Sequence, residues 1–199
     1  MGLKGGTLMI VSDVLNLVLK NLSREDVFNT TLFDNQSLNE PTDEQKLVFN
    51  DLIACLNDVI QSVVYVYHPL KKLENIEVSN EQFDYSKLSE TLIDVIKLKD
   101  VNGVCAKFTT FPTFFKCKNG KYTITYTYAP KMIEKNSDVI IVPEGKVSDR
   151  ILATGTTSRF YLKRGMYQDA NVWDISFQRL LLVGQRPKHT PKMDARRWF

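Results

Sequence analysis

From position 48 to position 67 the residues Val48, Leu52, Cys55, Leu56, Val59, Ile60, Val63, Val64 and Tyr67 recur at intervals of three and four. That spacing places them on one face of a helix about five turns long, and an apolar face of that length must be covered by other elements. The start of the helix is marked by Thr42-Asp43-Glu44-Gln45. This is a capping-box sequence, in which the Thr42 hydroxyl accepts from the third helical amide while Gln45 reaches back to the cap amide. His68-Pro69 marks the end, because the residue before a proline is pushed out of the α region.

Three further helices are predicted to cover that face. The first starts near Ser12, whose hydroxyl caps it, and carries Val14, Leu15, Val18, Leu19 and Leu22 inward. Residues 23–41 read as a long polar loop pinned by Val27, Phe28, Leu32 and Phe33. Near the other end, Ser148 caps a helix that runs to Arg164, with Gly165 as its left-handed stop. The last helix buries Ala170, Trp173, Phe177, Leu180 and Leu181, and Gly184 with Pro187 ends it. So short a connection predicts an antiparallel helical hairpin. Ala153, Thr154, Gly155, Thr156, Thr157 and Ser158 weaken the first of these two helices, so close packing must support its middle. The supporting surface is either the long helix of the same protomer or a neighbouring subunit.

Between residues 73 and 130 the apolar period changes from 3.6 to 2, which predicts β structure. Asn102-Gly103 and Asn119-Gly120 are preferred hairpin turns of type I′. The clearest strand covers residues 121–128, with Tyr122, Ile124, Tyr126 and Tyr128 on one face and Thr123, Thr125 and Thr127 on the other. The tyrosine face is expected to pack inward and the threonines to meet solvent or a neighbouring protein. Segments 76–79, 92–99, 104–109 and 113–117 supply partner strands. The fold class is therefore α+β: a helical bundle body (residues 12–72 and 131–187), an inserted antiparallel β-module (73–130) and an extended C-terminal tail (188–199).

Several function classes are disfavoured by what the chain contains. Its 199 residues carry 26 basic and 23 acidic groups, a net charge of +3, so any contact with nucleic acid is local rather than spread over the surface. Cys55, Cys105 and Cys117 form no C-x-x-C pair, and His68 and His189 lie far from them, so no metal site is expected. An odd, sparse cysteine count suits a reducing cytoplasm. The apolar run 8–11 is too short for a signal peptide, and no other run is read as a membrane span. No phosphate-binding glycine motif is present, and neither histidine is placed for a nucleophilic triad. The chain is read as no enzyme, with no cofactor.

Residues 188–199 contain Lys188, Lys192, Arg196 and Arg197 against Asp194 alone, and end in Trp198-Phe199. Together with Ser148-Asp149-Arg150-Ile151-Leu152-Ala153, the run Arg164-Gly165-Met166-Tyr167-Gln168-Asp169-Ala170, and Trp173, this ending resembles the head-to-tail adaptor family of tailed phages, the podoviral tail tubular protein A-like ring proteins. The resemblance covers nearly the whole chain in order of elements. It implies a structural virion protein, assembled in the host cytoplasm, that forms a homo-oligomeric, twelve-copy ring between the portal protein and a downstream tail or nozzle protein. DNA then passes through the ring without specific contact, and no membrane is involved. Arg196, Arg197, Trp198 and Phe199 become the expected portal-docking residues. The alternatives are a tail-completion or lower ring protein of the same conduit, and a small nucleic-acid-binding accessory protein.

Overall fold

The computed structural model describes residues 9–33, 39–143 and 145–185. The long helix α3 spans Asp43–Ser62 and opens with both capping-box bonds, Gln45 N to Thr42 Oγ1 at 3.3 Å and Thr42 N to Gln45 Oε1 at 2.9 Å. It continues into a π turn, Val63–Tyr67, closed by the His68 amide on the Val63 carbonyl at 2.8 Å. By length and apolarity this 25-residue stretch could cross a membrane, contrary to the expectation that no run would. Its apolar face is spent on the protein core, where Val48, Leu52, Leu56, Val59, Val63 and Val64 are buried.

Helix α1 spans Val11–Asn21, and it is capped by backbone rather than by Ser12. Ser12 lies inside the first turn. The amides of Val11 and Ser12 donate to the carbonyls of Asp138 and Asn136, so a returning loop satisfies the groups that a cap side chain would otherwise reach. The predicted polar loop contains a short helix, α2, Glu25–Phe28, with Val27 buried. Helix α4 spans Asp149–Lys163 with Ser148 as its cap, and α5 spans Tyr167–Gln185. Between them Gly165 takes φ 76°, and the Met166 amide returns to the Tyr161 carbonyl at 3.0 Å.

Helix α4 is the axis of the body. Residues 151–158 are all buried, and α1, α3 and α5 surround them. Asn21 of α1 donates to Thr157 Oγ1 at 3.2 Å, and Ser158 donates to the Ala170 carbonyl of α5 at 2.9 Å. Gly155 lies against Val59 of α3 and Phe177 of α5. The small residues that weaken α4 as an isolated helix are thus what let three helices approach it. Their support comes from within the protomer.

The β-module begins at Lys71 and forms two three-stranded antiparallel sheets. Strands β1 (Lys71–Val78), β6 (Gly120–Tyr128) and β3 (Leu92–Asp100) make one, with β6 in the centre. Strands β2 (Gln82–Asp84), β5 (Phe114–Lys116) and β4 (Thr109–Thr110) make the other. Ile76, Val95, Leu98, Phe115, Ile124 and Tyr126 are buried in the core of this module.

Three expectations are corrected here. Asn119-Gly120 turns no hairpin: β5 and β6 belong to different sheets, and the Asn119 side chain instead accepts the Glu81 amide at 2.6 Å. Asn102-Gly103 does reverse the chain beyond β3, but only Gly103 has positive φ, and Asp100 Oδ1 holds the turn by accepting the amides of Asn102 and Val104. Two successive residues with positive φ occur instead at Asn80 and Glu81, between β1 and β2. Finally, Thr125 and Thr127 are buried although they face away from the module core. They stand on the central strand, flanked by Leu73, Lys71, Lys97 and Asp94 of its neighbours, a position more enclosed than an edge strand offers.

The two cores meet at Tyr128, which packs against both. The returning segment is then pinned to α3 by Asn57. Its buried side chain donates to the Ile133 carbonyl at 2.9 Å and accepts the Ile133 amide at 2.8 Å.

Candidate functional site: surfaces the protomer leaves open

The groups with chemical potential are absorbed by structure. His68 is buried where the π turn meets the sheet, and its Nε2 has no hydrogen-bond partner among the described residues. Burial, with the Lys146 charge adding to it, lowers its pKa, so the imidazole is held neutral. Burial pushes the Cys55 thiol up to about 11 and raises that of Cys117, which leaves both poor nucleophiles. All three cysteines are free. Glu74 accepts from Ser89 Oγ at 2.8 Å and Tyr126 Oη at 2.9 Å. Burial opposes its ionisation, but these bonds prevail and hold the carboxyl below its ordinary range. That network ties the loop after β2 to the first sheet. Among the described residues, no three His, Cys, Asp or Glu side chains gather as a metal site would require.

What the packing leaves unsatisfied is apolar surface. On α5, Ala170, Phe177 and Leu181 are buried against the body. On the opposite side of the same helix Val172 is 63% exposed, Ile175 43%, Leu182 55% and Val183 60%. Helical steps of 100° bring these four into one outward stripe, with the exposed Arg179 in its middle. Of the five residues expected inward, Ala170, Phe177 and Leu181 are buried, whereas Trp173 and Leu180 are only half-buried. The outward stripe was missed because reading stopped at a single buried face, although the same three-and-four spacing was present.

A groove of about 640 Å³ runs along the outside of α3 and the end of α4, lined among others by Ala54, Asp58, Tyr65, Val66 and Leu162. Asp58 makes no ion pair among the described residues, whereas Asp51, about two turns earlier, takes Lys163 at 2.7 Å and Arg164 at 3.0 Å. A third open surface is the threonine face of the β1-β6-β3 sheet, where Leu73 is 69% exposed and Ile93 and Ile96 sit at the two register shifts of β3. The expected docking residues Arg196, Arg197, Trp198 and Phe199 lie outside the described residues, as does the rest of 186–199. Neither a protein-family profile nor a curated protein matches the chain.

Proposed function

We propose that the chain is a non-enzymatic structural virion protein: a head-to-tail adaptor whose copies form a ring between portal and tail and surround the DNA conduit. The observation that carries this reading is the two-sided apolarity of α5. A surface helix of a self-sufficient protomer shows one apolar stripe, and a second, opposite stripe calls for a protein partner. The open threonine face of the first sheet offers a further contact surface, suited to a downstream tail or nozzle protein. The conduit needs no sequence-reading site, and the near-balanced charge of the chain accords with DNA passing without being gripped.

In this reading residues 188–199 dock onto the portal. Trp198 and Phe199 supply aromatic anchors, and Arg196 and Arg197 pair with portal carboxylates. The test is removal of residues 195–199, followed by measurement of binding to purified portal rings. The shortened chain is expected to keep its thermal midpoint and lose most of its portal affinity. Unchanged affinity would remove these residues from the docking site, and absence of portal binding by the full chain would overturn the adaptor reading.

A further inference from the structure

We infer that the outward stripe of α5 packs, antiparallel, into the α3–α4 groove of a second copy of this chain, with Arg179 of one copy paired to Asp58 of the other. The inference deepens the ring reading by naming the contact between copies, and it rests on that reading.

Three observations support it. The stripe from Val172 to Val183 and the exposed face that runs from Ala54 on α3 to Tyr65 in the π turn after it have the same eleven-residue separation. Laid antiparallel with Arg179 opposite Asp58, Val183 falls opposite Ala54, Ile175 opposite Ser62 and Val172 opposite Tyr65. Val183 and Ile175 of the stripe thus meet the small side chains Ala54 and Ser62. The charges also match, since both Arg179 and Asp58 are exposed and neither has an ion partner among the described residues.

The geometry has a consequence for assembly. The stripe and the groove are different surfaces of one protomer, so the contact is head-to-tail rather than two-fold. Each copy filled at its groove still offers its stripe, and repetition produces a closed ring or an open helix.

Sedimentation equilibrium of the full chain up to several hundred micromolar, with circular dichroism to confirm folding, tests the contact. Wild type is expected to associate weakly. Arg179→Glu, Asp58→Arg and Ile175→Asp should each weaken that association tenfold or more without lowering the thermal midpoint. The double variant Arg179→Glu with Asp58→Arg should return to within about threefold of wild type. Wild type that stays monomeric throughout, single variants that associate as wild type does, or a double variant no better than the singles would each overturn the inference. A chain lacking residues 186–199 that no longer associates, beside charge variants without effect, would assign the contact to that segment and overturn it equally. Portal binding is scored separately. Association through these faces without portal affinity sinks the adaptor reading alone, and portal affinity with silent charge variants sinks this contact alone.

Discussion

A β-carbon at Gly155 would lie 2.8 Å from Phe177 Cε2 and 2.9 Å from Val59 Cγ1, closer than such atoms approach one another. Both neighbours are fully enclosed side chains with little room to move. Gly155→Ala gains about 1 kcal/mol of helix propensity but forces an overpacked contact that costs about 1–3 kcal/mol, so a net loss of about 1 kcal/mol is expected. Gly155→Val should lose more, and chemical denaturation measures both. His68 gives a second residue-scale prediction, with a definite sign. Its pKa is lowered in the folded protein. Above the unfolded value of about 6.5 both states are neutral and pH has no effect through this group. Below it the unfolded chain binds a proton that the folded one refuses, so stability falls as pH drops through that value toward the folded pKa. His68→Gln should flatten the fall in thermal midpoint between pH 7.5 and 5.5, and an equally steep fall in the variant would remove His68 as its cause. At this scale the sequence was informative wherever a side chain acts on its own backbone. Thr42 and Gln45 form their box, and Ser148 caps α4. Ser12 was misjudged because its place was taken by carbonyls more than a hundred residues away.

The elements were legible in proportion to how long their periodicity runs. Helices α1, α3 and α5 and strand β6 each repeat an apolar spacing long enough to identify, whereas α4 was marked by its Ser148 cap and Gly165 stop, and each was expected close to where it lies. Turns and partners were less legible. Asn-Gly states a local preference for positive φ, but which strands meet is decided by the two sheets, and Asn119 ended as a bridge between them. Glu81 takes φ 57° without being a residue that favours it, so composition offered no signal there. Asn57 was missed for a similar reason: a polar residue at the edge of an apolar stripe looks solvated until its partner is known. Asn57→Ala would leave the buried amide and carbonyl of Ile133 without partners, and a loss of about 2 kcal/mol or more is expected in urea denaturation. Asn57→Ala at wild-type stability would mean that the returning segment is held by other contacts. The outward stripe of α5 belongs to this scale too, since its residues were present in the sequence but only the structure shows that none of the described residues covers them.

In the whole molecule, a helical body organised around α4 carries a β-module whose core is separate and whose first sheet is open on one face. Among the described residues the inward faces are covered, while the outer stripe of α5 and the α3–α4 groove stay exposed. The proposed ring needs no grip on DNA. Affinity for duplexes of different sequence should therefore agree within tenfold at moderate salt, as measured by fluorescence anisotropy, and a larger preference would favour a nucleic-acid-binding accessory protein. The ring itself is expected to need a template, because the contact between two copies must offset the loss of translational and rotational freedom before closure contributes. Sedimentation velocity of the dilute chain, alone and mixed with portal rings, tests that central claim most directly. A folded species near the 22.9 kDa of one chain is expected when alone, and about twelve copies carried by each portal ring in the mixture. Closed rings without portal would contradict the template requirement, and a mixture that sediments as two unbound species would contradict the adaptor itself.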